Sequence, residues 1–249
     1  MSPADLLPGA IHAWYLPIDG PNTALVAAVW PHLTGWERDR LDRFAFEADR
    51  TQYAAAHWLV RVALADAGPL PPTGWVLRQT DTGRPLVETP LGMPPRHLSL
   101  SHTRGLVACA ISSVEVGIDV EYLDPRLDVA SLLTRVLSPA ELARWPAGLA
   151  EHRGPLFFQY WTLKEAVLKG LGIGLACEPS QLEVEVGPGG AARLTSLPVE
   201  VGRAADWSLS HRGVTEDHTG ALAIRAAALG GAEPRWRSTD LASVVRTIP

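Results

Sequence analysis

Two carboxylates stand two residues apart, at Asp119 and Glu121, in a stretch where apolar and polar residues alternate from 114 to 121. Alternation of this kind predicts a β-strand, on which residues i and i+2 point to the same side of the sheet. Two acids placed in this way can converge on one hard cation, and Mg²⁺ is the usual cation where phosphates are handled. The same two charges would equally suit a solvent-facing strand edge, so the spacing alone leaves both interpretations open.

A second group of ionisable side chains lies in residues 156–171, whose apolar spacing predicts a helix that starts near Pro155. Glu165 and Lys169 are four residues apart and therefore share a face of that helix. They would form either a surface ion pair or a base and a phosphate-binding ammonium. The chain has 22 basic residues, and its only lysines are Lys164 and Lys169. This concentration favours a site that needs a compact ammonium group, although the role of Lys164 stays open.

Ser101 and His102 lie between two apolar stretches, 98–100 and 106–112, that together predict a hairpin with a polar loop. Neighbouring side chains of an extended chain point apart, which argues against a nucleophile paired with its base. A hydroxyl and an imidazole in such a loop suit the binding of a phosphate oxygen. A loop histidine without a role is the alternative.

Three arginines are candidates for binding phosphate through the planar guanidinium. Arg84 occupies a Gly-Arg-Pro turn, Arg50 begins a predicted helix, and Arg61 lies further along it. Each is equally consistent with a solvated surface side chain. Glu141, three residues after Ser138, either contacts the same site or completes a capping box at a helix start.

Composition excludes several classes of protein. A net charge of −5 without a basic tract argues against a nucleic-acid binder. No apolar run reaches the length of a membrane span, and the first residues lack a basic signal-peptide region. Two cysteines without metal-ligand spacing predict neither a disulfide framework nor a zinc site. We therefore expect a cytoplasmic protein with no membrane and no nucleic-acid partner.

The order of predicted elements favours an α+β fold, because the strands and helices mix without regular βαβ alternation and the strand pairs look hairpin-connected. A Ser-Leu-Ser-His sequence ends at His102 and recurs ending at His211, each time followed by an apolar stretch. The recurrence is compatible with an internal duplication and with chance.

Four motifs in this order resemble the 4′-phosphopantetheinyl transferases, of the large surfactin-synthetase-activating type. The resemblance covers residues 43–175 closely and the remainder loosely, and its specificity comes from the combination rather than from any one piece. The motifs are Gly83-Arg84-Pro85, Leu98-Ser-Leu-Ser-His102, Val116-Gly-Ile-Asp-Val-Glu121 and Trp161-Thr-Leu-Lys-Glu-Ala-Val-Leu-Lys169.

The resemblance implies a reaction in which the phosphopantetheine arm of coenzyme A is moved to a serine of an apo acyl or peptidyl carrier protein, releasing 3′,5′-ADP. Asp119, Glu121 and Glu165 match the acids that bind Mg²⁺, for which Mn²⁺ is a possible substitute. Glu165 also matches the residue usually proposed as the base, acting directly or through water. Lys169 matches the lysine that contacts the phosphates.

Four further residues match or lie near positions of the family that contact coenzyme A. Ser101 and His102 match directly, with His102 near the 3′-phosphate. Arg84 stands where the family often has lysine, and both cations can bind phosphate. Arg50 lies near an arginine of the family that contacts the 3′-phosphate.

The family fold implies two similar halves, with antiparallel sheets and packed helices, related by a pseudo-twofold axis around a cleft that holds the active site. The predicted boundary gives an N-terminal half at residues 1–113 and a C-terminal half at residues 114–249. A chain with both halves is expected to act as a monomer. Two other functions stay open: a Mg²⁺-dependent phosphohydrolase of coenzyme A or a related nucleotide, and a carrier-binding module without catalysis.

Overall fold

The computed structural model describes residues 11–81, 83–146, 153–173, 176–187, 191–225 and 234–249. Within these residues the strands are β1 (Ile11–Pro17), β2 (Val76–Gln79), β3 (Pro85–Glu88), β4 (His97–Thr103), β5 (Leu106–Ser112), β6 (Val116–Tyr122), β7 (Glu183–Val186), β8 (Ala192–Ser196), β9 (Trp207–Gly213), β10 (His218–Arg225) and β11 (Arg235–Ser238). The helices are α1 (Thr23–Val29), α2 (Gly35–Asp42), α3 (Glu47–Asp66), α4 (Val129–Val136), α5 (Pro139–Arg144), α6 (Arg153–Leu171) and α7 (Leu241–Val245). No helix in this part of the chain is long and apolar enough to cross a bilayer.

The chain divides into two compact units, one of residues 1–114 together with 229–249, the other of residues 115–228. In the first unit, one sheet has the strand order β11-β1-β5-β4, and β2 and β3 form a separate hairpin. Its core is built on α3, whose alanines allow it to lie against the sheet while Trp58 and Leu59 fill the space around it. This helix packs mainly on β5.

The second unit contains a three-stranded antiparallel sheet with the order β6-β10-β9 and a hairpin of β7 and β8. Its core is built on α6, which packs against β6 and β10. The buried core of this unit includes Leu163, Ala166 and Val167 of the helix and Ala221 and Ala223 of β10. The small side chains on the strand allow the helix to come close to the sheet.

The two units repeat one order of elements. In each, an early strand pairs with the second strand of a later hairpin, giving β1-β5-β4 in the first unit and β6-β10-β9 in the second. A long helix, α3 or α6, intervenes in the chain and packs on the sheet of its own unit. Both Ser-Leu-Ser-His sequences lie on the first strand of the hairpin, ending at His102 and His211. The repeated order favours duplication over chance as the cause of the recurrence.

The mixed α+β fold with antiparallel sheets agrees with the prediction, and the structure adds one parallel pair. Strand β11 joins the first sheet beside β1 in parallel register, with Ala13 opposite Trp236. The tail that the sequence analysis assigned to the second half therefore lies, in its described part, with the first unit. Its short polar strand carries no alternating pattern that would have predicted this pairing.

Candidate active site

The backbone of α6 lies directly on β6 at Gly117. A Cβ added to this glycine would meet the carbonyl oxygen of Ala166 at 1.8 Å and the backbone nitrogen of Gly170 at 2.5 Å. Only glycine permits this approach. As a result, the last turns of α6 run beside the half of β6 that carries Asp119.

Asp119 and Lys169 form an ion pair at this crossing. The Nζ of Lys169 donates to the Oδ1 of Asp119 at 2.6 Å. Asp119 is 3% exposed, whereas the side chain of Lys169 is 32% exposed. The carboxylate is therefore buried and its ammonium partner reaches solvent, so the lysine is accessible to an anionic ligand while it holds the acid.

Glu165 lies one turn before Lys169 on α6 and is half-buried. Burial raises the pKa of its carboxyl above the ordinary value, and the negative charge of Asp119 raises it further, while Lys169 acts in the opposite direction. A carboxylate with a raised pKa accepts a proton more readily than an ordinary one. Glu165 therefore has the electrostatic environment that suits a general base.

Glu121 follows Asp119 by two residues on β6, so both side chains point to the face of the sheet that α6 covers. Among the described residues, no three His, Cys, Asp or Glu side chains are grouped closely enough to hold a metal ion by themselves. Mg²⁺, however, is commonly bound through one or two carboxylates together with substrate phosphates and water. The oxygen donors of these acids, and the mutual effect of Asp119 and Glu165, fit that kind of site.

The other sequence-predicted residues belong to the first unit. Ser101 and His102 lie on β4 rather than in the predicted loop, because the hairpin turns at Arg104 and Gly105, where Gly105 has a φ of 79°. Ser101 is buried and His102 is exposed, as expected for neighbours on a strand. The guanidinium of Arg84 lies beside the same strand, with Nη2 donating to the carbonyl oxygen of Leu98 at 3.3 Å.

Arg50 lies on α3 and is held loosely. Its Nη2 is 3.5 Å from the Oδ1 of Asp42, and its side chain is 30% exposed. It borders a pocket of about 390 Å³. Arg84, Ser101 and His102 do not line that pocket, whose other residues are Thr23, Val26, Ala27, Trp30, Glu47 and Thr51.

Two interpretations of charged residues are decided by burial. Arg61 is 1% exposed and donates to both carboxylate oxygens of Glu37, at 2.8 and 2.7 Å, so the phosphate role considered for it is wrong. Lys164 is fully buried and pairs with Glu141, so these two do not join Asp119. Glu141 also completes the predicted capping box with Ser138.

The three candidate acids, Asp119, Glu121 and Glu165, lie in the second unit. Across the paired strands, His211 lies opposite Ala221, and Ala221 lies opposite Asp119. In the first unit, His102 lies opposite Val107, and Val107 lies opposite Leu16. Leu16 therefore occupies the position that corresponds to Asp119, and it is fully buried and apolar. That position in the first unit therefore carries no acid.

His211 is a residue of this face that the sequence analysis did not select as a site residue. It lies two strands, about 10 Å, from Asp119. The Thr219 hydroxyl lies 2.7 Å from the Nε2 of His211 and 3.1 Å from the carbonyl oxygen of Arg212, within hydrogen-bond distance of both. Burial lowers the pKa of His211 to about 4. The repeated Ser-Leu-Ser-His sequence was the signal that could have marked it.

An α+β fold with carboxylates and an ammonium gathered on one strand and one helix is chemically suited to phosphate esters. Comparison with known proteins gives the family. Residues 115–223 match the model of the 4′-phosphopantetheinyl transferase superfamily. The chain is 30% identical over 234 residues to the 4′-phosphopantetheinyl transferase HetI of Nostoc sp., covering 93% of each protein. The chain therefore belongs to the 4′-phosphopantetheinyl transferase superfamily, a superfamily of transferases.

Other relatives agree with this assignment. The chain is 29% identical over 252 residues to the phosphopantetheinyl transferase of Thraustochytrium sp., covering 92% of this chain and 85% of that protein. It is 28% identical over 158 residues to the 4′-phosphopantetheinyl transferase of Bacillus subtilis, covering 63% and 66%. Among solved structures, the holo-ACP-synthase of Plasmodium yoelii is 17% identical, with 45% of this chain and 92% of that chain covered and a TM-score of 0.34. That structural likeness is weak.

Proposed function

We propose that this chain transfers the phosphopantetheine arm of coenzyme A to a serine hydroxyl of an apo carrier protein and releases 3′,5′-ADP. Membership of the superfamily supports this reaction class. The observation that carries the proposal is the ion pair of Asp119 with Lys169, which lies one turn after Glu165 on α6. A base next to a carboxylate and an ammonium is what transfer of a phosphoryl group to a hydroxyl requires.

In the proposed step, the serine oxygen forms a bond to the phosphorus that carries the pantetheine arm. The bond from that phosphorus to the bridging oxygen of the pyrophosphate breaks, and its electron pair leaves on 3′,5′-ADP. The serine proton passes to the carboxylate of Glu165, directly or through one water. The protein contributes orientation and charge stabilisation rather than a covalent intermediate.

We assign Asp119, Glu121 and Glu165 to a Mg²⁺ site, in which Mn²⁺ is the possible substitute. When bound, the ion neutralises negative charge on the pyrophosphate oxygens. Lys169 already offsets the charge of Asp119, and its partly exposed ammonium is available to the same oxygens. This arrangement limits the repulsion between Asp119 and Glu165 before coenzyme A arrives.

We assign the binding of coenzyme A also to residues of the first unit. Exposed His102 on β4 is proposed to contact the 3′-phosphate, and Arg84, whose guanidinium lies beside that strand, another phosphate oxygen. Ser101 and Arg50 complete the proposed set, Ser101 from the buried side of β4 and Arg50 from α3. The proposal also treats the two units as related halves of a cytoplasmic monomer. The repeated strand order supports the relation between them.

Product analysis tests the proposed function against hydrolysis. The protein is incubated with Mg²⁺ and coenzyme A, with and without an apo carrier domain, and 3′,5′-ADP is measured by chromatography. Transfer predicts that 3′,5′-ADP appears only with the carrier and in equal amount to holo carrier. Release of phosphopantetheine without a carrier would identify a phosphohydrolase instead. Asp119→Asn serves as the inactive control.

A further inference from the structure

Lys164 is a fully buried lysine whose ammonium has three oxygen acceptors. Its Nζ donates to the carbonyl oxygen of Val136 at 2.7 Å, to the carbonyl oxygen of Leu182 at 2.8 Å and to the carboxylate of Glu141. An ammonium carries three N–H donors, so this one is fully used inside the protein. A lysine with 0% exposure is not available to a ligand.

Glu141 is equally occupied. Its Oε2 also accepts from the backbone N–H of Ser138, and its Oε1 accepts from the backbone N–H of Val184, each at 2.7 Å. The pair therefore joins α6 to the end of α4, the start of α5 and the first residues of β7. Four segments that are separate in sequence meet at one buried charge pair.

The ion pair lies directly beside the proposed chemistry along α6. Lys164 precedes Glu165 by one residue and Lys169 by five, on one continuous helix. On the opposite side, the contact at Gly117 leaves no room for the helix to move towards β6. The position of α6 is therefore constrained on two sides. The same helix carries Lys169, whose Nζ donates to Asp119 at 2.6 Å.

We infer that Lys164 is a positioning residue, which acts through Glu141 to hold Glu165 and Lys169 at the distance from Asp119 that metal binding and proton transfer require. The inference rests on the proposed function. It also explains why a lysine occurs here in a chain whose other basic residues, apart from Lys169, are arginines. An ammonium offers donors in three directions to three separate acceptors, which a planar guanidinium cannot reproduce.

The first unit contains a similar pair that provides a matched control. Glu37 occupies the capping box of α2 with Thr34, as Glu141 does in α5, and pairs with Arg61 on the long helix α3. The residue after Arg61 is Val62, and no acidic cluster lies on β1. Removal of Arg61 therefore breaks a comparable buried pair without touching the proposed metal site.

The test measures Mn²⁺ binding by electron paramagnetic resonance, with saturating coenzyme A and without a carrier, in wild type, Lys164→Met and Arg61→Met. Folding is verified by circular dichroism and melting temperature. We expect Lys164→Met to weaken Mn²⁺ binding about tenfold or more and to lower kcat while KM for coenzyme A changes little. Arg61→Met should lower the melting temperature but leave Mn²⁺ affinity near that of wild type.

Charge alone predicts the opposite result for Lys164→Met. Removal of a positive charge makes the region more negative and should tighten cation binding, so weaker binding reports displaced ligands. If Lys164→Met does not fold, Lys164→Gln takes its place, because it loses the same positive charge and keeps a hydrogen-bond donor; the same direction is expected with a smaller size. Folded variants with wild-type Mn²⁺ affinity and kcat would overturn the inference. Failure of the wild-type protein itself to bind Mn²⁺ or transfer the arm would refute the proposed function, and this inference with it.

Discussion

Gly117 of β6 and Ala166 of α6 are in direct backbone contact, so that a Cβ on the glycine would lie 1.8 Å from the alanine carbonyl oxygen. Gly170, one turn on, lies against the indole ring of Trp207, which an added Cβ would meet at 2.6 Å. Because these two glycines have no side chain, α6 can pack closely against the sheet that contains β6. The contact places Lys169 on Asp119 and so determines the geometry of the candidate site.

Substitution of Gly117 by alanine is expected to damage both stability and activity. Overpacking typically costs about 1–3 kcal/mol, and we expect the upper part of that range because backbone rather than flexible side chain must move. A displacement of α6 should also lower kcat by about 100-fold. Urea unfolding and the carrier transfer assay measure the two effects. Gly213→Ala, where nothing lies within 4 Å, is the control, and equal behaviour of the two variants would contradict the account.

Loss of a proposed acid should abolish most of the activity without unfolding the protein. Asp119→Ala or Glu165→Ala is expected to reduce kcat by about 100-fold or more, the scale of a lost transition-state contact. Steady-state transfer rates measure this. Glu185→Gln removes an exposed acid of the same unit that pairs with Arg193, and it should keep full activity. Near wild-type rates for either alanine variant would remove that residue from the site.

Substitution of His102 tests the assignment of the first unit to coenzyme A. His102→Ala is expected to raise KM for coenzyme A and to change kcat little, because the exposed imidazole is proposed to bind the 3′-phosphate. Dephospho-coenzyme A lacks that phosphate and serves as the internal control. The variant and the wild type should use it with similar KM. An equal rise in KM for both substrates would argue against contact with the 3′-phosphate.

The buried pair of Glu37 and Arg61 should matter for folding. Burial alone would raise the pKa of Glu37, but hydrogen bonds from His57 and Arg61 hold it well below its ordinary value. Arg61→Met leaves this carboxylate buried without its cation and is expected to cost about 3–5 kcal/mol in the free energy of unfolding. Arg193→Met, at an exposed pair, should cost far less, because water screens that pair. Similar losses in urea unfolding would show that the burial of the pair contributes nothing.

His211 should make stability depend on pH. Burial lowers its pKa from an ordinary value of 6.5 to about 4, so between these values the unfolded chain binds a proton that the folded chain does not. The free energy of unfolding should therefore fall as the pH decreases through this window, by about 1–2 kcal/mol after allowance for partial exposure.

The measurement compares wild type with His211→Asn. Urea unfolding at about pH 7.5 and about pH 4.5 gives the pH dependence of each protein, and the difference between them isolates this one histidine. We expect the wild type to lose more stability than the variant. Parallel losses would show that His211 titrates normally in the folded protein.

Local sequence patterns predicted much of the fold and which candidate site residues share a face of a strand or a helix. Alternation on β6 put Asp119 and Glu121 on one face, and helical spacing put Glu165 and Lys169 on another. These patterns depend on near neighbours in the chain, which the sequence displays directly. The ion pair of Lys169 with Asp119 joins residues 50 apart in sequence, and only the structure shows it.

Features that depend on distant contacts had no such signal. The close approach at Gly117 requires knowledge of which helix covers β6, and the pairing of Lys164 with Glu141 joins residues 23 apart in sequence. The Ser101–His102 segment was predicted as a loop because its polar side chains outweighed its place in a strand. Strand β11 is polar and short, and only its pairing with β1 defines it.

The mass of a carrier protein tests the central claim most directly. An apo carrier domain is incubated with the protein, Mg²⁺ and coenzyme A, and the carrier is then weighed intact by mass spectrometry. The account predicts a gain of one phosphopantetheinyl group on the carrier serine, absent when Mg²⁺ is chelated or Asp119→Ala replaces the wild type. No gain on any of several carrier domains, with folded wild-type protein, would contradict it.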